Sequence, residues 1–239
     1  MKNMTAIQSM DKWKNSILFN FLTANVEDVQ KVVKLTKGYV VPGIVVSNFK
    51  NTDEAVFKIK ELQTVVDVVS IGLGDNGNVG NFSKVLSVAR NCENIHINQP
   101  IETAGFAKVL HPSIYVNGLV RPSGKVGYVR AIGNELYKIE DVVDACLELN
   151  ISSIKFMSIE GEKHLDECAY VSEVAAKKGM YGIEPAGGID ASNIRNITDT
   201  ILSTGISFFM PHIFGSVLDK NTGQIMASKV ERLLYAVGL

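Results

Sequence analysis

Short apolar runs alternate with amphipathic stretches along the whole chain, and this alternation constrains the fold more than any single motif. Runs at 17–22, 65–73, 95–98, 151–161, 180–184 and 206–210 read as strands. Between them, residues 26–37, 82–90, 102–110, 139–149, 165–178 and 191–203 repeat apolar side chains at helical spacing. A last helix reaches residue 237, and another carries Ala55, Ile59 and Leu62, with Asn51 or Thr52 placed to cap it. In 39–46, Pro42 and Gly43 interrupt the pattern and predict a short strand that begins after them. The fifth unit reads as two strands, 114–120 and 125–132, joined by Arg121-Pro-Ser-Gly124 as a hairpin. Eight strand–helix repeats of roughly 25–30 residues predict a parallel sheet, and eight such units close most naturally into one (β/α)₈ barrel over residues 1–239. A doubly wound open sheet is the alternative. No Gly-x-Gly-x-x-Gly turn follows the first strand to support it.

Composition narrows the function. A hydrophobic fraction of 46% supplies a sizeable core, and no Pro/Gly/Ser-rich linker divides the chain. The net charge of −1, with both signs dispersed, argues against nucleic-acid and membrane partners. No apolar run approaches the ~18 residues of a membrane span. The polar start of the chain and the odd set Cys92, Cys146 and Cys168 fit a reducing, cytoplasmic setting. All three cysteines fall in predicted helices and read as inert thiols.

In a barrel, chemistry sits where strands end and the following loops begin. The residue that stands out there is Lys155. Its strand places Ile154 and Phe156 on one face, and Ser153, Lys155 and Met157 on the other. An ammonium group in so apolar a strand is costly unless paired or neutralised, and burial lowers its pKa. A free amine is what imine chemistry with a ketone requires. The competing reading is a lysine that snorkels to water or pairs with a carboxylate. Other strand ends offer Asp75, Glu102, Glu160 and Glu184. Gly187-Gly188, with Asp190 before the next helix, predicts an anion cradle at a helix N-terminus, completed by Gly215 and Ser216. His96, His111, His164 and His212 are scattered, with no pair at metal-ligand spacing.

Ile154-Lys-Phe156 and Pro185-Ala-Gly-Gly-Ile189 resemble the class I 2-keto-3-deoxy-6-phosphogluconate aldolases, which carry a Schiff-base lysine in such a strand and a phosphate loop one unit later. Pro42-Gly-Ile-Val45, Asn117-Gly-Leu119 and Ile183-Glu-Pro-Ala-Gly-Gly-Ile-Asp190 are similar to a branch of 2-dehydro-3-deoxy-phosphogluconate aldolases assigned to amino-sugar acid breakdown. The resemblance implies a retro-aldol reaction on a phosphorylated keto acid, with no metal or other cofactor. Those enzymes place a glutamate base and an arginine on strand two, and residues 39–49 contain neither. Glu184, on the strand next to Lys155, is the first substitute as base; the alternative is that it only pairs with Lys155. Asp75 is second. Arg130 or Arg121 is the candidate for the substrate carboxylate. Two further readings stay open: cleavage of 4-hydroxy-2-oxoglutarate, and a phosphate-metabolite-binding barrel without chemistry. A homo-oligomer is expected, as is common for such barrels.

Overall fold

The computed structural model describes residues 4–131, 133 and 135–239. Eight parallel staves form a closed ring. They are β1 (Phe19–Leu22), β2 (Val40–Val45), β3 (Val69–Gly72), β4 (Ile95–Pro100), β5 (Tyr115–Pro122), β8 (Ser153–Met157), β9 (Gly182–Ala186) and a split last stave, β10 (Phe208–Phe209) with β11 (His212–Ile213). Pairing of β11 with both β9 and β1 closes the barrel. Helices α2 (Val26–Leu35), α3 (Thr52–Leu62), α4 (Phe82–Ala89), α5 (Ile101–Leu110), α6 (Ile139–Glu148), α7 (Leu165–Lys177), α8 (Ile194–Leu202) and α9 (Ala227–Val237) follow the staves in turn. Asn51 caps α3 through its side chain, and Asn25 does the same for α2. No helix among the described residues is long and apolar enough to cross a membrane.

Three expectations needed correction here. Strand β2 runs straight through Pro42 and Gly43 instead of starting after them. The carbonyls of Tyr39 and Gly43 accept from Phe19 and Thr23, so alternation turns the nitrogen of Pro42 toward β3. Pairing with β3 begins one residue later, at Gly43 and Ser70, and the missing N–H forfeits no ladder bond. In the fifth unit the hairpin is real but has three strands: β5 continues past the barrel rim and pairs with β6 (Tyr128–Arg130), which pairs with β7 (Leu136–Lys138). Residue 132, the expected end of the second strand, lies outside the described residues. Cys92 also lies beyond the end of its helix, whereas Cys146 and Cys168 are helical and buried.

Strand alternation sorts the side chains into two cores. Outward-facing residues such as Phe19, Phe21, Ile71, Ile97, Val116, Ile154, Phe156 and Ile183 pack beneath the helices. At the bottom of the barrel, Leu18, Val41, Val68, Tyr115, Phe208 and Met210 form a separate apolar plug. The short helix α1 (Ala6–Ser9) seals it with Ile7, which is fully buried. Above this plug the inward positions turn polar.

Candidate active site

The polar layer comes from alternate residues on neighbouring staves: Asn20, Ser70, His96, Asn98, Asn117, Ser153 and Glu184, all buried. Most buried polar groups are hydrogen-bonded, and Glu184 is the hub of this set, in which only the side-chain oxygens of Asn20 and Asn117 lack a partner among the described residues. Its Oε1 accepts from Ser153 Oγ at 2.6 Å. Its Oε2 accepts from Asn117 Nδ2 at 2.8 Å and lies 2.9 Å from both His96 Nε2 and His212 Nε2. The far nitrogen of His96 is 2.7 Å from Ser70 Oγ. The far nitrogen of His212, Nδ1, is 2.8 Å from Lys155 Nζ. A continuous line of contacts therefore runs from Ser70 through His96, Glu184 and His212 to the amine of Lys155.

Lys155 and His212 form part of the floor of a cavity of about 550 Å³ at the C-terminal end of the barrel. This volume suits a small-molecule ligand. The walls include Ser47, Asn98, Asp75, Met157, Gly187 and Phe214. Burial pulls the Lys155 amine down from its ordinary 10.5 to about 7, although the nearby charge of Glu184 works in the other direction. Burial and the neighbouring amine push His212 down to about 3, against the pull of Glu184. Burial resists ionisation of Glu184, but the two imidazoles outweigh it and hold this carboxyl well below the usual range. At neutral pH a carboxylate thus sits against a neutral His212. The Nε2–H of that imidazole donates to Glu184, which leaves the Nδ1 lone pair facing Lys155.

The candidates read from the sequence separate clearly. Lys155, Asp75, Gly187 and Gly188 line the cavity. Glu184 does not: it is 0% exposed and lies beneath the floor, with His212 between it and Lys155. A base that touches substrate directly does not fit that placement, nor does a direct ion pair with the lysine. Arg121 and Arg130 face each other on the hairpin beyond the rim, and the cavity lining contains no arginine. Arg121 donates to Gly77 O at 3.0 Å and so braces the loop after β3. Gly215 is not part of the lining, and Ser216 donates to Ile189 O at 2.8 Å, tying the two final loops together. Asp190 accepts from Ser192 in a turn that precedes α8 and does not cap the helix itself. Glu160 is paired with Lys163 at the surface, and Glu102 lies in the first turn of α5.

His96 is a functional candidate missed in the sequence, and His212, which follows the eighth strand and lines the pocket as its position there implies, gains a chemical role only from its contacts. The available signal was parity: His96 alternates with Ile95 and Ile97, and His212 precedes Ile213, so both imidazoles point inward. Ligand atoms of His96, Glu184 and His212 lie within 4.8 Å of one another, a grouping that can hold a metal ion. Each is already satisfied by the hydrogen bonds above, and we assign them no metal.

The chain is 27% identical to the 2-dehydro-3-deoxy-phosphogluconate aldolase of Salmonella typhimurium, over 97% of this chain and 98% of that protein. Among solved structures it is similar to the YdjI aldolase of Escherichia coli K12, with a TM-score of 0.60, 13% identity and coverage of 99% and 98% of the two chains. The tryptophan synthase A-subunit of Pyrococcus furiosus gives a TM-score of 0.57 at 14% identity, covering 95% of this chain and 100% of that one. These two likenesses concern the barrel alone. The sequence also matches the family described as KDGP aldolase over residues 13–221, nearly the whole barrel, and on that ground the chain belongs to the KDGP aldolase family.

Proposed function

We propose that this aldolase acts through an imine on Lys155 and cleaves a phosphorylated 2-keto-3-deoxy sugar acid, 2-dehydro-3-deoxy-6-phosphogluconate. The observation that carries this reading is the amine itself: 7% exposed, on the cavity floor, and lowered to about 7. An amine of that kind is substantially neutral at physiological pH and can attack the C2 ketone. The resulting iminium accepts the electron pair released as the C3–C4 bond breaks. The C4 hydroxyl gives up its proton, and glyceraldehyde 3-phosphate departs. The enamine takes a proton at C3, and water releases pyruvate and restores the amine.

Support for the distal phosphate comes from Gly187 and Gly188 at the cavity wall, with φ of 103° and 72°. Only glycine adopts these conformations cheaply, and a backbone without side chains lets an anion approach the amides. Polar groups around the lysine, including Asn98 and Ser47, are available to the keto-acid end. The test is reduction with borohydride in the presence of pyruvate. One reduced pyruvate adduct per chain is expected, mapped to Lys155 by peptide mass. An adduct on another lysine moves the site, and no adduct in a preparation that cleaves substrate removes the imine mechanism.

A further inference from the structure

Imine formation needs proton transfers that an isolated lysine cannot perform, and the cavity floor places one side chain against the reacting nitrogen. We propose that His212 is the acid–base residue of imine formation, with Glu184 as the positioning residue that fixes its tautomer. This proposal rests on the Lys155 reading above.

His212 Nδ1 is 2.8 Å from Lys155 Nζ, within direct proton-transfer reach. Its other nitrogen is 2.9 Å from Glu184 Oε2, so the ring is held at both ends and cannot flip without losing two contacts. The residue is 6% exposed, yet it lines the cavity where a carbonyl bonded to Nζ must sit. Glu184 reaches that cavity through this imidazole. Ser153, Asn117 and His96 hold the carboxylate through its two oxygens. The groups facing His212 are thus an amine, a carboxylate and, beyond the carboxylate, a second imidazole.

The steps balance. When Nζ bonds to C2, the nitrogen bears two protons and a positive charge, and the former ketone oxygen is an alkoxide. His212 Nδ1 takes one of those protons and passes it to the oxygen, giving the neutral carbinolamine. A second proton, from solvent in the open cavity through the same imidazole, lets the oxygen leave as water. The nitrogen lone pair then forms the second C–N bond, and the iminium carries the single positive charge. Hydrolysis after cleavage runs these transfers in reverse and returns the solvent proton.

The test compares rates of borohydride trapping with pyruvate in the parent, His212→Asn and His212→Gln. Asn presents a hydrogen-bonding group near the former Nδ1 position, and Gln presents one near Nε2, but neither amide relays protons at neutral pH. Both are expected to slow trapping by roughly 10²-fold or more, the usual range for a lost acid–base group, with the adduct still on Lys155. Trapping at the parental rate in folded His212→Asn would mean that His212 merely holds the lysine, and the proposal fails. If both variants fail to fold, ¹⁵N-histidine spectra of the parent decide: the proton must reside on Nε2 of His212 at neutral pH, and a proton on Nδ1 overturns the relay. Absence of any adduct on Lys155 in the parent would sink the imine reading instead, so the two failures are distinguishable.

Discussion

At the scale of single residues, two magnitudes decide how Lys155 behaves. A lysine displaced from 10.5 to about 7 costs the fold on the order of 5 kcal/mol at low pH, by the usual ~1.4 kcal/mol per tenfold change. Removing it would leave the His212 acceptor without a donor, at about 1–3 kcal/mol. The first effect is larger, so Lys155→Met is expected to abolish the pyruvate adduct and raise the thermal midpoint near neutral pH. Equal or lower stability of that variant would show that the amine is better accommodated than its burial implies. The sign with pH follows from linkage. Between about pH 7 and 10.5 the unfolded chain binds a proton at this lysine that the folded chain lacks, so stability rises with pH across that window. The slope should diminish in Lys155→Met, as measured by denaturant titrations at several pH values. The same group predicts that trapping by pyruvate accelerates as pH rises to about 7 and then levels off.

Glu184 tests a different balance. Glu184→Gln keeps the shape of the side chain but replaces a charged acceptor by an amide beside Ser153, Asn117, His96 and His212. We expect a loss of stability of about 1–3 kcal/mol, from donors left facing a donor. Trapping is expected to slow as well, because the tautomer of His212 is no longer fixed. An unchanged trapping rate, with the stability loss present, would confine Glu184 to a structural role.

Among the elements, the segment between β9 and α8 is the most constrained. A Cβ on Gly188 would lie 2.6 Å from Gly161 N, and one on Gly187 would lie 2.0 Å from Ser158 Oγ. Side chains at either glycine disturb the backbone of the neighbouring loop before they affect any anion. Asn193 gives a cleaner test: it donates to Gly188 O at 2.8 Å and accepts from Asp190 N at 3.0 Å, and so holds the glycine turn against α8. Asn193→Ala is expected to raise KM for the phosphorylated substrate roughly tenfold, the equivalent of one hydrogen bond of about 1.4 kcal/mol. The rate of trapping by pyruvate, which has no phosphate, should be unchanged. A KM equal to the parent's would remove this turn from phosphate binding.

For the molecule as a whole, the barrel is closed below by apolar packing and open above to the cavity. Ile7 of α1 is 0% exposed against the bottom plug, and Ile7→Ala should cost about 2–5 kcal/mol in chemical denaturation, the range for a buried aliphatic truncation. The adduct on Lys155 should still form in the folded variant, because the polar layer separates plug from cavity. If that variant loses the adduct while folded, the plug sets the position of the lysine as well.

The sequence alone determined the architecture and singled out the lysine. Strand and helix periods are local properties, and eight repeats leave little choice of closure. Lys155 stands out because one charge in an apolar strand is a local anomaly. Glu184 was legible as a strand-end carboxylate next to that strand, but its depth was not. Tertiary structure decided the rest. The layer that joins Ser70, His96, Asn117, Ser153, Glu184 and His212 draws one residue from each of six staves. No two members of the set lie closer in sequence than 21 positions, and His96 meets Glu184 across 88, so no spacing motif reports their contact. Barrel closure sets which inward residues share a height, and that height put an imidazole, not the carboxylate, against the lysine. The arginines went the other way: strand β5 continues past the rim, and Arg121 and Arg130 leave the cavity with it.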